Sequence, residues 1–590
     1  MNRKAATVSR RYSVISIICM TACAITLYDA RALFAPYLIA FLFAVWCMGQ
    51  IRDIIPDKRS AKYRLVIAAS AVFAIFMTLA NHALWMSFDL PDELRTALFV
   101  RLLKLLVIAV IASGSYFVAR SVLIYTVYDK NALTFQVPET SGRQYLFFVI
   151  PFIIIAGVYL VIYFCCYYPG LLSLDSIDQI DQLFTGVYSN HQPFYHTMLV
   201  GLFINAGLAI FNNINTAVAL YMIVQVLFMA ATFSFVIYNM AKLGLPKFAM
   251  ITAAVWYALM PFHIMYSFTL WKDVYFGSFV TLLIVFYIRI ACKIGKPLVN
   301  YIGFAVCGPV ICLLRSNGMF AYVFVFLAVL LLARADRKLL VIMGITLAGC
   351  FVLKHNVLDA VGVTPPDTVE SLSIPLQQVG KVIVEGGVMD SEDLALMEKI
   401  IDIDALKEEY NPDISDPVKN LIRDYGNESY LTDNMKAYVA LYLRTLAHNP
   451  MKYVIAWVDS TCGYWNSGYN YWVWYWDIED NPYGIQRFVA SPFMLHVMDG
   501  YLWLYYNNRV MQVFLAVGLY VWMVLILLAK NIAAKNICAI IAIVPILAIL
   551  LSLLISSPVY AEFRYMYALF CSLPVLIAVT CTGRRSGPDR

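Results

Sequence analysis

Apolar runs of membrane-crossing length recur along this chain, and the polar stretches between them alternate between basic and base-poor. A helix needs about 18 or more mainly apolar residues to cross a bilayer. Runs at or near that length fall at 13–28, 33–50, 65–82, 97–118, 145–166, 214–240, 247–268, 274–292, 298–314, 317–334, 339–354, 511–529, 536–555 and 562–580. The intervening bases collect on one side, as Lys58/Arg59/Lys62/Arg64, Arg120/Lys130/Arg143, Arg289/Lys293/Lys296, Arg334/Arg337/Lys338 and Arg584/Arg585. With both termini in the cytoplasm this is the bias of Lys and Arg toward cytoplasmic loops, kept from end to end. The segment 194–211 is also apolar enough to span, but counting it inverts every later loop, so the charge pattern makes it interfacial or re-entrant.

Two long stretches then face away from the cytoplasm. One is the loop 167–213, and the other runs over 355–510 with 22 of the chain's 37 carboxylates, enough to form a soluble domain of its own. The layout is N-terminal membrane helices over 1–144, a membrane core over 145–354, the soluble domain over 355–510 and C-terminal helices over 511–590. Within the soluble domain, 366–450 reads as amphipathic helices. The alternation of Trp472, Trp474 and Trp476 with Val473 and Tyr475 predicts a strand. The fold class is therefore an all-α polytopic membrane protein of about 14 transmembrane helices with an extracytoplasmic α+β domain.

Composition agrees: 62% of residues are hydrophobic and 14% charged, more apolar surface than a soluble fold can hide. The net charge of +6 does not point to nucleic acid, because the bases sit where topology requires them. Thirteen cysteines are scattered through apolar segments, with only Cys462 well inside the soluble domain, which argues against a disulfide framework or a cysteine metal site. The basic start (Arg3, Lys4, Arg10, Arg11) leads into a helix without a small-residue cleavage pattern and reads as an anchor.

Candidate chemistry gathers at the base-poor face. Residues 167–196 read YYPGLLSLDSIDQIDQLFTGVYSNHQPFYH, with three aspartates, two histidines and no Lys or Arg. Asp175, Asp178 and Asp181 would line one side of a helix. Asp175 follows apolar PGLLSL, where partial desolvation tunes a carboxylate as a base or a cation ligand. His191 and His196 frame QPFY, at a spacing that is not a metal motif. Lys272 and Asp273 (FTLWKDVYFG) come immediately before another helix. Arg315 (CLLRSNGMF) lies between two spans, and Glu562, Arg564 and Tyr565 (SSPVYAEFRYMY) mark the last boundary. Arginines at this face need an anion, either a carboxylate (Glu562 and Arg564 could pair with each other) or a lipid phosphate, which meets a guanidinium through two parallel hydrogen bonds.

This order of features resembles the GT-C superfamily of integral-membrane glycosyltransferases, distantly the protein mannosyltransferase and aminoarabinose transferase type. The likeness rests on YPGLLSLDS (Asp175), NHQPFYH opening a juxtamembrane helix that ends in IFNNIN, LWKD (Asp273), LLRSNG (Arg315), and FRYMY before a Pro-containing last helix. It covers about 145–355 well and 511–580 loosely. Ser follows Asp175 where mannosyltransferases often carry Glu, and no WWDYG-type motif is present, which disfavours transfer to an Asn sequon.

The resemblance implies an inverting hexosyl- or pentosyltransferase of the bacterial plasma membrane. It would move sugar from a polyprenyl-phosphate donor to a cell-envelope glycan, lipid or protein on the outer face. Asp175, Asp273 and His191 would be catalytic. Arg315, Arg564, Tyr565, His196, Lys272, Trp472 and Trp474 would bind substrate. A divalent cation (Mg or Mn), if used, would sit on Asp175 and Asp273. Membrane lipid is a partner and nucleic acid is not. The competing classes are a transporter or flippase of lipid-linked glycans, disfavoured by the lack of pseudo-symmetric halves, and a non-catalytic envelope scaffold.

Overall fold

The computed structural model describes residues 34–50, 56–86, 97–129, 143–333, 336–466 and 471–582. The anticipated span 13–28 and the terminal basic groups lie outside them. Backbone amides in lipid must be satisfied within their own segment, so each long apolar run becomes a helix.

In chain order the helices at the membrane are α1 Phe34–Gln50, α2 Ala61–Ala80, α3 Ala97–Tyr128, α4 Leu146–Tyr167, α5 Leu174–Thr185, α6 Phe194–Phe211, α7 Ile214–Lys242, α8 Lys247–Leu259, α9 Pro261–Ser267, α10 Lys272–Ala291, α11 Pro297–Leu314, α12 Ser316–Leu332 and α13 Arg337–Ala360. After the soluble domain come α14 Val517–Ala534, α15 Ile537–Ile555 and α16 Tyr567–Cys581.

Caps end the helices where the pattern stops. The Ser60 and Asn213 side chains accept from the third residue of α2 and α7, and Asp336 does the same for α13. Gly186, at φ 71°, closes α5 in a left-handed turn that a Cβ would disfavour.

Among the described residues 11 helices are long and apolar enough to cross a membrane, or 12 if α8 and α9 form one bent span. The expectation of about 14 counted 13–28, which lies outside the described residues, and the 17-residue α1 and α12, and it left out α6. The expected single span 247–268 is bent by 54° at Met260–Pro261, where proline supplies no amide to continue the ladder.

By length α6 qualifies as a span, yet both its ends are tied to one non-spanning stretch. Ahead of it, the Asn190 amide donates to the Thr364 carbonyl at 2.8 Å. Just beyond it, Asn215 accepts from the Gln486 amide at 3.1 Å. No membrane-length apolar helix lies between 364 and 486 among the described residues. Both ends of the helix are thus held by residues of the stretch 364–486.

The soluble domain is helical rather than α+β: among the described residues there is no strand, only five isolated bridges. The segment expected as a strand, 472–476, makes no bridge; two residues beyond it Ile478 meets Leu172, before the chain beyond Leu172 winds into α5. A strand needs a neighbour along its length, and the indoles here are placed by packing instead.

The domain also divides earlier than expected. Val369, Val379, Ile401, Ile422, Leu441 and Tyr453 share a core of their own. Val458, Trp465, Val473, Trp474 and Met498 join the core of the membrane helices. The aromatic back half is thus a cover packed on the membrane helices.

Candidate active site

The approach to Asp175 is pinned before the helix starts. The Leu171 amide donates to the Phe268 carbonyl at 2.8 Å, and the Leu270 amide returns the bond to Leu171 at 3.0 Å. Gly170 turns at φ 141° against Met222, a conformation and a contact that leave no room for a Cβ. Ser176 Oγ accepts from the Ser173 amide at 3.1 Å and donates to the Leu270 carbonyl at 2.8 Å, locking the first turn of α5 to the segment that opens α10.

Asp175 sits in that first turn, 32% exposed, and its carboxylate accepts from Arg564 Nη1 at 2.7 Å across 389 residues of chain. Arg564 belongs to the 3₁₀ turn Phe563–Met566 that opens α16. Its guanidinium lies over Trp271 (5.2 Å), Trp472 (5.9 Å) and Tyr565 (5.4 Å). Its Nε faces Glu562 Oε1 at 3.2 Å, in a geometry that does not align the N–H with the oxygen.

Lys272 and Asp273 lie in the first turn of α10, not just ahead of it, with Trp271 at the cap. Asp273, 1% exposed, pairs with Arg315. Arg315 is the extended residue separating α11 from α12, and the break aims its side chain inward. Its guanidinium stacks on Tyr565 at 4.6 Å and reaches Phe276 at 5.6 Å. Lys272 Nζ donates to Gln192 of the NHQPFYH element.

One tyrosine ring thus carries both arginines, each holding a carboxylate from a different helix. Such stacking is worth about 0.5–2 kcal/mol per pair when desolvated.

The three carboxyls are tuned apart. Burial pushes Asp175 up, but Arg564 and Lys272 outweigh it and hold the group well below the usual carboxylate range, so it is ionised at neutral pH. Asp178 is raised, by burial first and then by the charge of Asp175. Glu562, 3% exposed, is pushed up to about 7, by burial above all, with Arg564 opposing and Asp273 adding.

Of the other expected site residues, His191 is exposed and within electrostatic reach of Asp175 and Asp178. His196 is fully buried, with Nδ1 on Gln179 at 3.0 Å and Nε2 on Tyr221 at 2.9 Å, which makes it part of the joint between α5, α6 and α7 rather than a substrate contact. Trp472 faces Arg564 and Trp271. Trp474 is buried against Tyr506 (4.6 Å) and Trp476 (5.9 Å), so it belongs to the core of the cover and not to the site.

The donor set does not fit a divalent cation. Asp175 and Asp273 each face a guanidinium, and no group of three or more His, Cys, Asp or Glu is arranged for a metal among the described residues.

Trp271, Gln192 and Glu562 complete the cluster but were not anticipated as site residues. The signals were present: Trp271 and Gln192 stand inside the LWKD and NHQPFYH phrases, and Glu562 is two residues from Arg564.

Residues 184–589 match the family DUF6020. The chain belongs to that family, whose function is unknown. Asp273, Arg315, Glu562 and Arg564 fall inside the DUF6020 match and Asp175 lies just ahead of it. No curated protein and no solved structure matches the chain.

Proposed function

We propose that this protein is a membrane glycosyltransferase that takes a sugar from a polyprenyl-phosphate donor at the base-poor, extracytoplasmic face of a bacterial plasma membrane. The observation that carries the reading is the pair of guanidiniums on Tyr565, within a cluster that brings Asp175 to Arg564 and Asp273 to Arg315 from four separate parts of the chain. A lone structural ion pair needs no such convergence. A phosphate diester whose leaving group must be held as an anion does.

In the resting site the carboxylates serve as counter-ions to the arginines. A donor phosphate arriving at Arg564 competes for the Nη1 hydrogen bond held by Asp175, the more exposed of the two aspartates. Asp175, freed from part of its ion pair, gains basicity and accepts the proton of the acceptor hydroxyl. The acceptor oxygen bonds to the anomeric carbon as the carbon–oxygen bond to phosphate breaks. One in-line displacement inverts the centre, and polyprenyl phosphate leaves with the bonding electron pair. Arg315 and Arg564 stabilise that anion, and Trp271 and Trp472 offer indole faces for the sugar. Apolar helix surfaces left exposed, such as Leu202 and Ile210 of α6, would face lipid.

The test is to incubate purified protein with a polyprenyl-phosphate sugar and a total extract of envelope glycans and lipids. Free polyprenyl phosphate accumulates if the protein is a transferase. A flippase or a scaffold leaves the donor intact.

A further inference from the structure

Lys354 breaks the charge pattern of the chain, standing near the end of α13 opposite the basic loops. Its Nζ donates to the Arg315 main-chain carbonyl at 3.4 Å. The side chain is half-buried, and among the described residues no carboxylate lies within ion-pair distance of it. The other cations of the cluster differ: Arg315 has Asp273, Arg564 has Asp175 and Glu562, and Lys272 has Gln192 with both aspartates in electrostatic reach. An ammonium at membrane depth without a counter-ion is costly, and an anion that arrives with a ligand removes the cost.

The surroundings say from where. On the same helix Phe351 (53% exposed) and Val352 (50% exposed) present apolar surface outward. On the inner side, Tyr195 of α6 donates to the Leu353 carbonyl at 2.9 Å, and Gln192, three residues earlier, meets Lys272. Lys354 therefore stands at a seam between α6 and α13, with lipid-facing residues on one side and the Arg315 cluster on the other.

We infer that this seam is the portal for the donor and that Lys354 is its outermost phosphate subsite, the first cation to meet a lipid-linked phosphate before Arg315 receives it. The inference rests on the transferase reading and adds the path by which its substrate arrives. An ordinary anionic phospholipid shares the phosphate chemistry, so the experiment separates the two.

Polyprenyl phosphate and phosphatidylglycerol are titrated separately into the full-length protein in a neutral detergent, with tryptophan fluorescence and thermal midpoint as readouts. Lys354→Gln retains a donor for the Arg315 carbonyl while removing the charge, and Lys354→Arg restores the charge. The expected result is about ten- to a hundred-fold weaker binding of polyprenyl phosphate by Lys354→Gln at an apo midpoint equal to or above that of wild type, with Lys354→Arg within a few-fold of wild type. Phosphatidylglycerol should bind more weakly and be less affected.

Wild-type affinity in Lys354→Gln overturns the subsite and leaves the transferase reading standing. Equal losses for both lipids make Lys354 a general lipid anchor, which also overturns it. Absence of polyprenyl phosphate binding by the wild-type protein removes the transferase reading itself, and the subsite with it.

Discussion

Replacing Arg315 by Met removes a guanidinium and keeps much of its apolar stem. The consequence for stability follows from its partner. Asp273 is 1% exposed, and its Oδ2 has no hydrogen-bond partner, so Arg315 carries most of the compensation for that buried charge. Breaking a buried pair from one side costs about 3–5 kcal/mol, because the remaining charge stays out of water. Arg315→Met should therefore lower the detergent thermal midpoint sharply. The double variant Arg315→Met/Asp273→Asn removes the stranded charge and should recover most of the loss. Arg315→Lys keeps the charge but gives up the planar fork and much of the stacking on Tyr565, a loss of about 1–2 kcal/mol.

Donor binding separates the two roles of this arginine. If Arg315 also holds phosphate, the rescued double variant stays deficient in polyprenyl phosphate binding although it is stable. Thermal unfolding and lipid titration on the same four proteins read both quantities. A stable double variant that binds polyprenyl phosphate like wild type would refute the phosphate role and leave Arg315 as the counter-ion of Asp273. An unchanged midpoint in Arg315→Met would refute the pairing itself.

Further expectations concern the other members of the cluster. Asp175→Asn keeps shape while removing basicity, so turnover should fall by about 10²–10⁴-fold with donor binding retained; near-wild-type turnover would move the base elsewhere. Burial pushes Glu562 up from the ordinary carboxylate value of 4.5 to about 7, so the native state binds the extra proton. Its contribution is complete below the unfolded value and is lost as pH rises through 7, about 3 kcal/mol in all. Glu562→Gln should therefore flatten the fall in thermal midpoint between pH 5 and 8, and an unaltered profile would show that Glu562 is not the titrating group. An impermeant thiol reagent should modify Ser189→Cys and Ser391→Cys in intact cells, whereas labelling only after permeabilisation would reverse the topology.

The membrane helices were legible because lipid leaves an apolar run of sufficient length one stable backbone conformation. Charge argues for α6 on a single face, since Arg289, Lys293 and Lys296 require the parity that crossing would destroy, whereas its length and composition qualify it as a span. The residues of the candidate site stand out in the sequence as charged groups at helix ends outside the basic loops: Asp175, Asp273, Arg315 and Arg564. Their pairing was not legible, because nothing local in Asp175 indicates a partner 389 residues away. The tryptophan stretch misled for a related reason. Alternation predicts a strand only when a neighbour exists to pair with, and after Leu172 that neighbour becomes a helix. Trp472 and Trp474 share that pattern, yet packing sends the first to Arg564 and the second into the core.

The central claim is tested most directly by following release of polyprenyl phosphate from a purified polyprenyl-phosphate sugar in the presence of envelope acceptors. Wild-type protein should release it, Asp175→Asn should release little, and the stable Arg315→Met/Asp273→Asn variant should release little at donor concentrations that saturate wild type. Intact donor with wild-type protein, or equal release by Asp175→Asn, would contradict the account.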